Sequence, residues 1–320
     1  MRYRTLGRTG LEVSEVGHGL WGMGGWTGSS DESSLEALRM SVGNGCNFFD
    51  TAWAYGDGHS DQLAGRLLLE SQAIVASKVP PANMVFPASP TDAFSDVFPR
   101  EYVRLTAEKI RGALGVQTIP VLQFHVWDDS WASDPAFGSI VDELKTSGMV
   151  DFVGISLNRW EPWNGVAAVK SGLVDTVQVI YNIFDQAPED ELFPACREHG
   201  VGIIARVPLD EGSLGGTFTP DTTFPPDDWR AKYFGPENLP PTLERVAEIK
   251  SILPQGMTLP EMALRFILSN TDVSTVIVGM RGTSHVVENL AVSDAGPLPS
   301  ELVAELRKHR WDREVTPWAN

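Results

Sequence analysis

DTVQVIYNIFDQAPEDELFPACREHGVGIIARV, residues 175–207, contains the unit that decides the fold. It opens on a short, almost continuously apolar run, DTVQVIYN, and closes on another, VGIIARV. Between them ELFPACREHG fits a helix that stops at Gly200. A strand covered on both faces reads as an unbroken apolar run, whereas a strand with one wet face alternates. Strand, helix and strand in this order predict a βαβ crossover and therefore a parallel sheet.

The same unit recurs along the chain. SEVGHGLWG near 14, FFDTA near 48, AIVASKV near 73, IPVLQFHV near 119, DFVGIS near 151 and STVIVGM near 274 bring the apolar runs to eight. Residues 31–45 repeat Leu35, Leu38 and Val42 at helical spacing, with Ser29, Ser30 and Asp31 as candidate caps and Gly43 and Gly45 as stops. Residues 99–115 begin with Pro and end with Gly, and 135–148 follow the same template. Eight units predict a closed (β/α)8 TIM barrel forming one domain over 1–320. An open doubly wound sheet would need a GxGxxG turn with an acid about twenty residues on. GHGLWGMGG, residues 17–25, has the wrong spacing. Two Pro-rich segments break the rhythm, 79–99 after the third barrel strand and 207–241 after the seventh, and an aromatic tail covers 307–320. Long irregular segments in a compact domain are lids or binding loops, or else solvated decoration.

Composition narrows the function. With 320 residues and 42% hydrophobic content the chain can bury a large core. A net charge of −17 argues against nucleic acid and anionic membranes as partners. Cys46 and Cys196 form no CxxC motif, so two reduced core thiols and a cytoplasmic location are expected. The first residues lack a signal peptide's apolar segment, and no run reaches bilayer length.

Polar residues at strand ends carry the chemistry. The second barrel strand offers Asp50, with Tyr55 in the loop after it; the third offers Lys78 and the fourth His125. Singly, each has an ordinary reading: a turn cap, a loop aromatic, a snorkelling lysine, a satisfied core histidine. Together, on three consecutive strands, they suit proton donation to a carbonyl oxygen. A phenol is a poor acid at neutral pH unless its anion is stabilised, and an ammonium within a few ångströms lowers its pKa. A carboxylate beside the buried lysine keeps that lysine charged. A neutral imidazole can donate a hydrogen bond to the same carbonyl. A metal-dependent hydrolase would need several histidines at strand ends, and only His125 is so placed, so no metal is expected.

DTAWAYG, the SK of ASKV and the H of QFHVWD resemble the catalytic tetrad of the aldo-keto reductases. The resemblance runs from LGRTGLEVSEVGHG to VVENLAVSD. It implies Tyr55 as general acid, Lys78 as its modulator, Asp50 as the lysine's partner and His125 as the carbonyl-orienting donor. The opening RYRTLGRTGLEVSEVG resembles the hairpin that closes the barrel bottom in that family. On the cofactor side, Ser156 and Gln178 match carboxamide-binding positions. Leu157 stands where Asn is expected, and Asn158 follows it. Arg206 takes the place of an aromatic that stacks on the nicotinamide, a role its planar guanidinium can fill. Leu209, Gly212 and Leu214 match the segment that wraps the pyrophosphate. Gly279, Arg281, Ser284 and His285 fall at the adenosine 2′-phosphate, and Glu288 and Asn289 at the adenine. The resemblance implies NADP(H), with NAD(H) the alternative, and a small carbonyl or sugar substrate; the other reading of Arg281 is a solvated residue at a helix cap. Trp21, Met23, Trp53 and Trp127, with Phe184 and the loop residues Trp26 and Trp229, are expected around the substrate pocket. A monomer or small homo-oligomer is expected. The competing functions are an NAD-dependent aldose dehydrogenase on the same tetrad and a nicotinamide-binding regulatory subunit.

Overall fold

The computed structural model describes residues 1–25, 28, 30–158, 161–226 and 228–313. Its strands are β1 (Tyr3–Thr5), β2 (Glu12–Ser14), β3 (Val16–Gly19), β4 (Phe48–Asp50), β5 (Ile74–Val79), β6 (Ile119–Phe124), β7 (Val150–Ser156), β8 (Thr176–Ile180), β9 (Gly202–Arg206) and β10 (Val273–Gly279). The last eight close into a parallel barrel in the order β10-β3-β4-β5-β6-β7-β8-β9. The apolar run near 14 therefore divides, its first residues ending a hairpin strand and the rest opening the barrel.

Helices α1 (Asp31–Gly43), α2 (His59–Leu68), α3 (Phe94–Val97), α4 (Arg100–Leu114), α5 (Pro135–Thr146), α6 (Val166–Ser171) and α7 (Leu192–His199) cover the strands in turn. They are followed by α8 (Arg230–Tyr233), α9 (Leu239–Ser251), α10 (Leu259–Leu268), α11 (Thr283–Ala295) and α12 (Ser300–Arg307). Their ends follow the expected local chemistry. Ser30 caps α1 by accepting from the Ser33 amide, while Gly115 and Gly200 end α4 and α7 in left-handed conformations. Short helices interrupt both long insertions, α3 in the first and α8 in the second.

Side chains two apart on a strand share a face, and this period organises the barrel interior. Phe48, Ala76, Val121, Ile204 and Ile277 form one apolar cluster with Leu6 and Val13 of the hairpin. Two residues further along their strands stand Asp50, Lys78, Gln123 and Arg206. The interior thus changes from apolar to polar within one step of the pleat, towards the strand C-terminal ends. Gly154 makes room in this layer, since a Cβ there would collide with Thr176 and press on Gln123.

β1 and β2 pair antiparallel, and Leu6 between them enters the bottom cluster. Gly7, at φ +51, lies so close to Gly202 that neither position has room for a side chain. Glu15 anchors the hairpin, receiving Arg2 at 2.8 Å and Arg4 at 2.9 Å. Arg4 also donates to the carbonyls of Leu268, Asn270 and Val273. Leu6→Ala should cost about 2–5 kcal/mol by opening a cavity at the barrel floor. Urea unfolding checks this, and a loss under about 1 kcal/mol would show that the hairpin does not carry the floor.

Candidate active site

Asp50 ends β4 with its carboxylate turned into the barrel. Its Oδ1 accepts from Lys78 Nζ at 2.5 Å, and its Oδ2 from Gln178 Nε2 at 2.8 Å and Gln123 Nε2 at 3.4 Å. Lys78, on β5, is wholly buried and also donates to the Thr51 carbonyl at 2.8 Å. Its Nζ lies 5.2 Å from the centroid of the Tyr55 ring, which in turn lies 5.7 Å from the His125 ring. Three consecutive strands, β4, β5 and β6, thus bring Asp50, Tyr55, Lys78 and His125 together at one mouth.

The Tyr55 loop owes its shape to its glycines. Gly56, at φ +69, lies against the Gly24 carbonyl, and Gly58, at φ +86, lies against the Trp53 ring. A Cβ at either position would collide, so the loop turns only with these residues.

Electrostatics assign protonation states. Burial drives the Tyr55 hydroxyl above its ordinary pKa, and Asp50 adds to this; Lys78 and Arg206 pull it down without reversing it. The phenol therefore keeps its proton at neutral pH. Burial alone would discharge Lys78, but Asp50 and Tyr55 outweigh it and hold the ammonium charged. His125 is pushed well below its ordinary value by burial, then by Lys78 and Arg206, so its imidazole is neutral. Its Nδ1 is buried without a partner among the described residues. A buried N–H without an acceptor is costly, which favours the tautomer protonated on Nε2.

Ser156 and Arg206 end β7 and β9, Asn158 follows β7, and Gln178 lies midway along β8. Arg206 donates to the Leu157 carbonyl at 3.1 Å. Asn158 gives its amide N–H to Glu161 at 3.1 Å, and its Oδ1 is buried without a partner among the described residues. An acceptor so placed fits the amide N–H of a nicotinamide carboxamide. A cavity of about 240 Å³ adjoins Asn158, walled by Trp163, Ile180, Pro188, Trp311 and Arg313.

After β9, Leu209, Gly212 and Leu214 lie in a loop with Val207 at φ 56, Asp210 at φ 46, Glu211 at φ 55 and Gly212 at φ 108. Arg281 lies along Gly22, its Cδ 2.9 Å from where a Cβ would stand, and is near enough to affect Asp228. Gly279, Ser284, His285 and Glu288 are exposed, while Asn289 is buried. α11 is preceded by Gly282, which supplies no side-chain cap, so amide donors remain at its entry.

The expected substrate pocket is only partly realised. Trp21 is 39% exposed, but Met23 is buried in the core. Trp53 packs on Gly58 and under Lys109 of α4, 5.9 Å away. Trp127 is buried against Trp131 and Phe137, at ring distances of 5.7 and 4.8 Å, and presents no surface to a ligand. The chain after β6 turns this indole back under the helices, where Asp129 satisfies its N–H at 3.0 Å. Phe184 is buried beside Trp311, Trp229 packs on Tyr233, and Trp26 lies outside the described residues. Phe86 was missed. It comes from the first insertion, is 43% exposed, and meets the His125 ring edge-on at 5.1 Å. Its only sequence signal was an apolar triplet, Met84-Val85-Phe86, inside a Pro-rich segment.

The chain belongs to the aldo/keto reductase family, whose model matches residues 15–310. It is 29% identical over 315 residues to the NADH-specific methylglyoxal reductase of Escherichia coli strain K12, covering 91% of this chain and 93% of that one. It is 29% identical over 302 residues to L-galactose dehydrogenase of Arabidopsis thaliana, covering 90% and 86%. Its fold superimposes on an aldo-keto reductase from Bacillus halodurans, holo form, with a TM-score of 0.77 at 23% identity over the full length of both. Among the described residues no helix is long and apolar enough to cross a membrane.

Asp61, on α2, is a further buried acid. Ser77 donates to its Oδ1 at 2.6 Å, and its Oδ2 has no partner among the described residues. Burial lifts its pKa to about 7. In the unfolded chain it ionises near 4, so stability falls by about 1.4 kcal/mol per pH unit between those values and levels off above the upper one. Asp61→Asn keeps the acceptor for Ser77 and removes this loss. The variant's gain in Tm should therefore be larger at pH 8 than at pH 5; an equal difference at both would contradict the assignment.

Proposed function

We propose that the chain, acting as one domain, is a cytoplasmic NADP(H)-dependent oxidoreductase that reduces aldehydes or ketones to alcohols. The observation that carries this is the convergence of Tyr55, Lys78, Asp50 and His125 at one barrel mouth, joined by the buried 2.5 Å Lys78–Asp50 contact. The bound dinucleotide supplies the hydride.

The protein supplies position and the proton. His125, neutral and protonated on Nε2, donates to the carbonyl oxygen and fixes its approach. Tyr55 gives its hydroxyl proton to that oxygen as negative charge builds there. Lys78 stabilises the phenolate left behind, and Asp50 keeps Lys78 charged. Gln123 and Gln178 occupy the second Asp50 oxygen, which leaves Gln178 its own carbonyl for a carboxamide beside Ser156 and Asn158. Arg206 would stack its planar guanidinium on the nicotinamide ring and adds a positive charge beside Lys78. Leu209, Gly212 and Leu214 would wrap the diphosphate with main-chain groups. Gly279, Arg281, Ser284 and His285 hold the 2′-phosphate, with Glu288 and Asn289 on the adenine. The substrate enters between Trp21 and Phe86. Two buried free thiols support the cytoplasmic assignment.

Tyr55→Phe should fold and bind the dinucleotide but lose at least about a hundredfold in kcat, the low end for a general acid. Turnover near wild type would end the mechanism. Dinucleotide binding without turnover of any aldehyde, ketone or sugar would instead make the barrel a regulatory subunit.

The relative named as NADH-specific makes cofactor choice a separate question. Arg281→Ala should weaken NADPH about tenfold, the scale of one charge-assisted contact, and leave NADH unchanged. Equal effects on both would remove the 2′-phosphate assignment. The L-galactose dehydrogenase relative supports a second reading, sugar oxidation with Tyr55 as base. NAD-driven turnover of aldoses exceeding carbonyl reduction would select it.

A further inference from the structure

The loop proposed to wrap the diphosphate carries two carboxylates, Asp210 and Glu211, which would repel that ligand. Asp210 does not face solvent: it is 1% exposed and meets Arg313 Nη2 at 2.7 Å, a charge contact rather than an aligned hydrogen bond. Arg313 belongs to the tail, more than a hundred residues away in sequence. Its side chain is almost wholly buried, with Asp185 at 3.8 Å and the Trp311 and Phe184 rings at 4.5 and 5.6 Å from its guanidinium. It also donates to the Tyr233 hydroxyl of α8, and Ser213 Oγ donates to the other Asp210 oxygen at 2.6 Å.

The loop itself is held against local preference. Val207, Asp210 and Glu211 all have positive φ, which L-residues rarely adopt and β-branched ones least of all. Such a conformation persists only where surrounding contacts impose it. Asn182 holds one end through the Val207 carbonyl at 3.0 Å, and the Arg313–Asp210 pair holds the middle. The tail is itself fixed to the segment after β8, through Arg310 on Asp190 at 2.6 Å and the Trp311 amide on the Phe184 carbonyl at 2.8 Å.

We propose that Arg313 is a positioning residue for dinucleotide binding, fixing the 207–216 loop through Asp210 and cancelling a carboxylate beside the diphosphate. The part that concerns the ligand rests on the nicotinamide reading above; the hold on the loop does not. Arg313→Met leaves Asp210 buried with its nearest countercharge removed, and Arg313→Met/Asp210→Asn removes both charges.

Hydrogen exchange on the cofactor-free protein and fluorescence titration with NADPH and NADH test the proposal on full-length chains. In Arg313→Met, peptides covering 207–216 should exchange faster while those of β4 to β6 are unchanged. Both dinucleotides should bind at least about tenfold more weakly, as expected when one partner of a buried ion pair is lost. The double variant should recover to within about threefold of wild type. Wild-type exchange and affinity in Arg313→Met would overturn the proposal. If that variant does not fold, a folded double variant that still binds tenfold more weakly than wild type would overturn it. A wild-type protein that binds neither dinucleotide would refute the functional reading, while the exchange data would still decide whether Arg313 holds the loop.

Discussion

The ammonium of Lys78 and the carboxylate of Asp50 meet inside the barrel, where neither is exposed to solvent. Taking two such charges out of water costs several kcal/mol per ion and is tolerated only where their remaining bonding capacity is filled. Here it is filled from several strands: Thr51 takes a second lysine proton, and Gln123 and Gln178 converge on the second Asp50 oxygen. The pair therefore ties β4, β5, β6 and β8 together across the interior. Its two halves act differently on their surroundings: Lys78 reinforces the effect of burial on His125 and opposes it on Tyr55, where Asp50 adds to it.

This ion pair sits in a chain of net charge −17. Lys78 is balanced there by Asp50, and Arg206 adds a further positive charge that acts on Tyr55 and His125. Attraction for an anionic dinucleotide must come from the site's own geometry, since the protein's overall field opposes it. That places weight on the few cations that face the groove, and on carboxylates near it being paired.

How much was legible in the sequence follows from what each residue packs against. The barrel strands could be read because both faces are covered, which leaves nearly continuous apolar runs such as TVQVI and GIIA. Asp50 and Lys78 could be found because each interrupts such a run. Gln123 could have been found by the same step of two, since it follows Val121 as Lys78 follows Ala76. The aromatic residues could not be sorted. Trp21, Trp53 and Trp127 all follow strands, and nothing local says whether the chain then turns a ring towards the mouth or back under a helix. Asp61, Phe86 and Arg313 depend on contacts with distant segments, and their spacing carries no trace of them. The net upward shift of Tyr55 was likewise hidden, because it is set by how much solvent the fold removes.

Gly56 rests on the Gly24 carbonyl with no space for a methyl group between them. The first two loops of the barrel rim are therefore not independent parts. Lengthening the segment around Gly24, or placing any side chain at 56, would displace the phenol along with whatever else it changed. The Pro-rich segment that brings Phe86 to His125 is a separate insertion after β5 and does not carry Tyr55. In divergence or in redesign, the surroundings of His125 can change through that insertion while Tyr55 stays where it is, and the first loop must remain nearly constant.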